Sequence, residues 1–346
     1  MNVTRAQTAE PPGLASTPDK VARFVVEAAV QAPSVHNTQP WWFSLAGKGG
    51  RSEGELSVHA DADRRLPIAD PDGREMLISC GAALFTARVA LRRIGFVPKV
   101  TLLPDPDLPN LVARIAWLDQ APPGEYEKQL FDEVSRRRTH RGGFDDEPLP
   151  ASLVSTLRAE ASMEKATLRV MGDDGERGAL SGAVEAADFA LRLDNARVKE
   201  ESKWASAPGS QRRDGVPATA YPARPERIDP AFPSRDFAHG HGWGLTAEAG
   251  RAPMPRATGL TAVLTTATDW PLDWIRAGQA LQRLLLLASS SGVRAALHSQ
   301  PLEFPELRSF IKMRLCGGAY PQMVLRLGST PAVAVSVRRP VDQVLL

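Results

Sequence analysis

The apolar positions alternate between helical and strand periods along most of the chain. Thr17-Pro18 reads as a helix start, with a hydroxyl at the cap and proline in the first turn. Val21, Phe24, Val25, Ala28 and Ala29 then form one apolar face at helical spacing. The helix should stop near Ala32, because a residue before proline is pushed out of the α region. Strands are expected at Trp41 to Ala46 and Glu55 to Ala60. A long helix follows from Arg74 to Ile94, with Met76, Ile78, Ala82, Leu84, Ala87 and Leu91 inward and Gly95 as its left-handed stop. Further strands fall near Lys99 to Leu103 and Leu111 to Leu118. Asp119 to Gly124 reads as a linker, a helix leads into Ser135, and Pro148 to Ala161 forms another with Leu153, Val154 and Leu157 inward. Thr167 to Met171 is a strand. After a break, strands at Thr261 to Thr268, Val293 to His298 and Gln322 to Leu327 surround helices at Pro271 to Ser291 and Glu303 to Met313. Residues 1–17 carry no period and read as a disordered tail.

The break has its own character. Residues 205–257 hold eight prolines and six glycines, an enrichment that points to an extended, irregular insertion. A segment of that length inside a compact fold is expected to be a lid or binding loop, or disordered.

The pattern also repeats. At an offset of 197 residues, Asp72, Gly81, Leu84, Gly95 and Pro104 fall on Asp269, Gly278, Leu281, Gly292 and Pro301. Pro18 and Val21 correspond to Pro150 and Leu153. The chain therefore divides into a first half at 18–122 and a second at 123–346, the latter carrying the insertion. Polar features are shared out unequally. The first half has the loop Ala32-Pro33-Ser34-Val35-His36-Asn37-Thr38-Gln39-Pro40-Trp41-Trp42 and no arginine cluster. The second has Arg136 to Arg141 and only Ser162 to Ala166 where that loop would stand. Complementary losses of this kind predict one composite site between the halves.

Composition narrows the chemistry. At 346 residues, with 43% hydrophobic and 24% charged residues, the chain is an ordinary globular one. A formal charge of +2 gives no reason to expect nucleic acid or an anionic membrane as partner. Cys80 and Cys316 are too few for a disulfide framework or a cysteine metal site. No apolar run has the length of a membrane span and no secretory signal opens the chain, so a cytoplasmic location is expected. Gly50-Arg51-Ser52-Glu53-Gly54 matches a hydrolase nucleophile pattern but lies between strands, where that elbow does not belong. His239 and His241 lack nearby acids or thiols and read as exposed histidines, so no metal is expected.

Arg137, Arg138, Thr139 and Arg141 offer guanidinium forks and a hydroxyl suited to a phosphate dianion, with Arg338 as another fork. A solvated basic face is the alternative. Ser34, Asn37 and Gln39 offer donors and acceptors for a flat heteroaromatic edge, which Trp41 or Trp42 would wall unless they are core. Ser299-Gln300-Pro301 is a third polar turn. No glycine-rich dinucleotide fingerprint or P-loop is present. Together these groups suit a mononucleotide bearing a large flat ring.

The loop Ala32 to Trp41 resembles the A-P-S-x-x-N-x-Q-P-W loop of the flavin mononucleotide (FMN) nitroreductases. Arg137-Arg138-Thr139-His140-Arg141-Gly142-Gly143-Phe144 resembles their R-R-S-x-R-x-F motif, with threonine for serine and one extra residue before Phe144. Arg338-Arg339-Pro340 resembles their C-terminal arginine–proline element. The fused halves and the His36 loop look most like the Acg-type members. The resemblance implies an α+β nitroreductase-like fold in which one chain imitates the family's homodimer, a monomeric pseudo-dimer with one FMN. Carried over by position, Arg137, Arg138, Thr139, Arg141 and Arg338 would hold the phosphate and ribityl. Pro33, Ser34, Asn37 and Gln39 would face the isoalloxazine, with Ser299 and Gln300 near its reactive edge. The implied reaction takes hydride from NAD(P)H to a nitroaromatic, quinone or related small acceptor, with no catalytic side chain strictly required. Two alternatives share the site: an FMN-storage protein with the insertion as its lid, and a dehydrogenase of a biosynthetic intermediate.

Overall fold

The structure, a computed structural model, describes residues 11–46, 54–221, 226–237, 256–332 and 334–346. The nucleophile-like stretch before Gly54, and His239 and His241, lie outside the described residues.

The first half runs α1 (Pro18–Ala29), β1 (Trp41–Ala46), β2 (Gly54–Ala60), α2 (Arg74–Arg93), β3 (Phe96–Leu102) and β4 (Leu111–Gln120). A connecting helix, α3 (Glu125–Val134), leads to α4 (Ala151–Met163) and β5 (Thr167–Val170). Helices α5 (Asp174–Leu193) and α6 (Asn195–Ser202) come next, and the insertion then supplies four two-residue strands: β6 (Ala205–Ser206), β7 (Val216–Pro217), β8 (Ile228–Asp229) and β9 (Arg256–Ala257). The second half closes with β10 (Leu260–Thr266), α7 (Pro271–Ser290), β11 (Arg294–His298), α8 (Pro305–Phe310) and β12 (Tyr320–Gly328).

Two four-stranded antiparallel sheets result, ordered β1-β2-β4-β3 and β11-β12-β10-β5. Matched by position in each half, β5, β10, β12 and β11 stand where β1, β2, β4 and β3 do, so the two orders are the same. The mixed helix and sheet architecture agrees with the α+β expectation. The halves are not separate along the whole chain, because the residues after β12 return to the first sheet. Phe43 N donates to Val344 O at 2.6 Å, and Leu346 N donates to Phe43 O at 2.8 Å. That return covers the β1 edge, which would otherwise present unpaired backbone groups.

The centre is the crossing of α2 and α7. Both are 20 residues long and buried over most of their length. A Cβ at Gly81 would lie 2.2 Å from Ile275 O, and one at Gly278 would lie 2.0 Å from Ile78 O. The 197-residue offset carries Ile78 to Ile275 and Gly81 to Gly278, so each helix makes the same contact on the other. This is the reciprocal pattern of a two-fold interface, here within one chain.

One reading is corrected, and two helices are added. Thr17 takes the cap position of α1, but its side chain makes no capping bond; proline in the first turn already removes one free amide. The residues between β5 and β6 contain α5 and α6, for which the apolar pattern gave no expectation. Helix α5 is capped by the Asp173 carboxylate on Glu176 N, and Asp194 caps α6 through Ala196 N and Arg197 N.

Gly278→Ala should destabilise the protein by about 3 kcal/mol, the upper part of the usual overpacking cost, because the obstructing atom is backbone and cannot rotate away. Chemical denaturation checks this; an unchanged midpoint would show that the crossing has room to spare.

Candidate functional site

The Ala32–Trp42 loop is built from unusual backbone. His36, Asn37 and Gln39 have φ of 46°, 53° and 50°, left-handed values that cost non-glycine residues roughly 1–3 kcal/mol each. Hydrogen bonds over-determine them. Ser34 Oγ accepts from Gln39 N at 3.0 Å, and Ser79 Oγ of α2 accepts from Val35 N at 3.1 Å. Asn37 Nδ2 donates to Gly215 O and Val337 O at 2.9 and 3.1 Å, while its Oδ1 accepts from Arg338 at 3.0 Å. Gln39 is fully buried, donates to Arg213 O at 2.8 Å and accepts from Arg339 N at 2.8 Å. The loop thus clasps both the insertion and the residues after β12.

Beside it lies a cavity. Its walls come from both halves. The loop contributes Pro33 to His36, α2 contributes Glu75, Ile78 and Ser79, and α7 contributes Leu281. Thr139, His140 and Arg141, the end of β11 through Gln300, Met323, and Ser234, Arg235 and Phe237 of the insertion complete the lining. Thr139 pairs with Ala295, and His140 N donates to Ala295 O at 2.8 Å, which lays the arginine segment along β11.

Of the residues expected at the site, Pro33, Ser34, Thr139, Arg141, Ser299 and Gln300 line this cavity. Asn37 and Gln39 do not; their amides are spent on the clasp. Trp41 is fully buried in the core, and Trp42 stacks on His59 at 3.6 Å, so neither tryptophan walls the cavity. Arg137, Arg138 and Arg338 are outside the lining but adjoin Arg141. Arg137 and Arg338 both donate to Gln31 O, at 3.4 and 3.1 Å.

These four arginines share one environment. Burial pushes Arg137 down to about 9, with the positive charges of Arg138, Arg141 and Arg294 adding to it. Burial and then Arg137, Arg138 and Arg141 hold Arg338 well below the usual value. Burial also lowers Arg138, helped by Arg294, and Arg141. A guanidinium keeps its proton in proteins, so these depressions register cations held away from water, with further cations beside Arg137, Arg138 and Arg338. Among the described residues, no carboxylate pairs with any of the four. The buried Nε atoms of Arg137 and Arg338 have no hydrogen-bond partner. Buried like charges without a counter-ion are a setting that favours an anion.

Several cavity residues gave no signal in the chain's pattern. Arg235, in the irregular insertion, is buried and ion-paired to Glu201 and Glu303. Ser234 Oγ donates to Arg141 O at 2.7 Å, tying the insertion to the arginine segment. His36 is 7% exposed, neither ring nitrogen has a partner, and its ring meets Phe237 edge-on at 4.8 Å. Burial, then Arg235 and Arg141, lower its pKa, so the imidazole is neutral. Glu75 was the one detectable case, an acid in the first turn of a helix buried almost throughout.

No protein-family model matches the chain. A Mycobacterium tuberculosis protein named "Putative NAD(P)H nitroreductase" is 32% identical over 332 residues, covering 94% of this chain and 91% of its own. A second from the same organism, named acg under the same heading, is 27% identical over 94% of this chain and 95% of its own. The crystal structure of a "putative nitroreductase" from Anabaena variabilis covers 91% of this chain and 90% of its own, with a TM-score of 0.50 at 10% identity.

Inorganic phosphate should stabilise the ligand-free protein through the arginine cluster, by about 2.7 kcal/mol at a hundred times its dissociation constant. Arg338→Ala should abolish that increment. Thermal melts against phosphate concentration decide it, and a wild-type melt indifferent to phosphate would remove the anion site.

Proposed function

Because the chain belongs to the NAD(P)H nitroreductase family of these mycobacterial proteins, we propose that it is an FMN-dependent oxidoreductase. In this reading it passes hydride from NAD(P)H to a small nitroaromatic or quinone-like acceptor. The observation that carries the cofactor is the uncompensated cluster of Arg137, Arg138, Arg141 and Arg338 at one side of a cavity between the two halves. A phosphate dianion supplies the missing charge, and the orphaned guanidinium nitrogens supply its donors.

The flat ring would lie in the cavity between the Pro33–His36 loop and the Ser299–Gln300 turn. FMN, when bound, supplies the hydride-carrying chemistry; the protein supplies position and field. Arg137, Arg138, Thr139 and Arg141 hold the phosphate end, joined by Arg338. Asn37 and Gln39 act as positioning residues, since their amides fix Arg338 and the backbone of Arg339 instead of reaching the cavity. Pro33 and Ser34 bound one face of the cavity, and Ser299 and Gln300 bound its rim. Walls from both halves of one chain support a monomer with a single site.

The insertion favours a second reading, storage of the flavin with little turnover. Ser234, Arg235 and Phe237 line the cavity, and the ion pairs of Arg235 hold that segment down.

The purified protein should be yellow or become so with FMN, at one flavin per chain. Arg137→Ala should weaken FMN binding by about 10–100-fold, the worth of a charged hydrogen bond. Rapid mixing with NADPH then separates the readings: bleaching of the flavin supports the oxidoreductase, and none over minutes supports storage. A colourless protein that ignores FMN would sink both.

A further inference from the structure

The titratable groups lining the cavity differ in what they can do with a proton. Arg141 and Arg235 keep theirs. His36, His140 and His298 also line it, and burial is the first cause lowering each of their pKa values. As neutral imidazoles they have no readily released proton near neutral pH. That leaves Glu75, whose side chain is 3% exposed and whose Oε1 accepts from Arg74 at 2.8 Å.

Its setting is crowded with charge from every side. Asp70, which caps α2 through Glu75 N and Met76 N at 3.0 and 2.9 Å, is a second acid beneath the same turn. Glu303 follows the β11 turn, and Arg235 bridges it to Glu201. Arg308 of α8 feels both Arg74 and Glu75. Burial and the negative charge of Glu303 raise Glu75 to about 8, against the opposing pull of Arg74. A carboxyl in such surroundings is a stored proton at neutral pH, as in the raised-pKa acids of general acid catalysis.

We propose that Glu75 is the proton donor to the acceptor reduced in this cavity, an assignment that rests on the oxidoreductase reading above. Hydride addition brings two electrons to a quinone-like acceptor and leaves one of its oxygens anionic. The Glu75 O–H bond breaks, an O–H bond forms on the acceptor, and the carboxylate stays beside the Arg74 guanidinium. The nicotinamide is the species oxidised, by loss of its hydride. Glu75 regains a proton from solvent when the cavity exchanges its contents. The same charge balance explains Arg74: its Nη1 is anchored on Gln322 O at 2.9 Å, so the counter-ion is already in place when the carboxylate forms.

The test uses the FMN-loaded protein, reduced in advance and mixed with a soluble 1,4-naphthoquinone across a pH range bracketing about 8. Wild-type reoxidation should fall by about tenfold per pH unit above that point. Glu75→Gln should lose this limb and run about 100-fold slower at its plateau, with the flavin spectrum and the rate of reduction by NADPH unchanged. Glu75→Asp should restore the limb. A second readout needs no turnover: the infrared carbonyl band of a protonated carboxyl should be present in wild type at pH 7, vanish above about 8, and be missing from Glu75→Gln. A Glu75→Gln protein that keeps the limb, or a wild type without the band, overturns the assignment while leaving the flavin reading intact. Failure to bind FMN removes both, and is seen first, by colour. If Glu75→Gln does not fold, Glu75→Asp takes its place in the infrared comparison, and a band identical in it and wild type overturns the assignment.

Discussion

Two helix backbones in direct contact set the geometry of everything else. Where α2 crosses α7, Gly81 and Gly278 each face a carbonyl of the other helix, with no room for a methyl group. Two buried 20-residue helices can approach this closely only where side chains are absent on both. The contact brings the first turns of α2, with Glu75, Ile78 and Ser79, to the same cavity as Leu281 of α7. A bulkier crossing would push these walls apart and take the cavity with them. Because the contact is reciprocal within a single chain, it forms without the concentration dependence of a true dimer.

On this symmetric frame the charges are distributed asymmetrically. The end of α4 is the counterpart of the end of α1, and there Glu164 meets Arg88 at 2.9 Å and Arg283 at 3.1 Å. Tyr126 adds a hydrogen bond to Glu160 at 2.6 Å. That side is electrostatically closed on itself. The side carrying the Ala32–Trp42 loop has four arginines, Arg137, Arg138, Arg141 and Arg338, without acids and, a short way along the cavity wall, Glu75 beside Asp70 and Glu303, with its carboxyl raised by burial and by the charge of Glu303. One repeated geometry thus holds a neutralised corner and a polarised one.

How legible this was depended on the range of the interactions involved. The helices and strands follow from local periodicity, and the duplication from glycines whose positions repeat because the crossing requires them twice. The arginine run and the Ser299–Gln300 turn were visible as donors, and the structure brings Thr139, Arg141, Ser299 and Gln300 to one cavity. Asn37 and Gln39 show their hydrogen-bonding capacity in the sequence, but that capacity serves partners 174 to 301 residues away in sequence. No local pattern encodes that. The same holds for Arg235, whose meaning comes from Glu201 and Glu303, and for Trp41, where nothing nearby in sequence distinguishes a core tryptophan from a wall.

The clasp on the Ala32–Trp42 loop has a consequence for how the protein is made. Asn37 donates to Val337 O, and Gln39 accepts from Arg339, across 300 residues of sequence in each case. At ~5–20 residues per second of synthesis, roughly 15–60 s pass between the emergence of the loop and that of its partners. Through that interval the left-handed turns at His36, Asn37 and Gln39 keep the local bonds to Ser34 and Ser79 but lack those to residues 337–339. The first sheet can form on the ribosome, but its binding loop lacks half of its clasp until residues 337–339 arrive. Completion of the site therefore waits on synthesis of those residues, and a message truncated before those codons would yield a first half with its helices in place and its loop incompletely clasped.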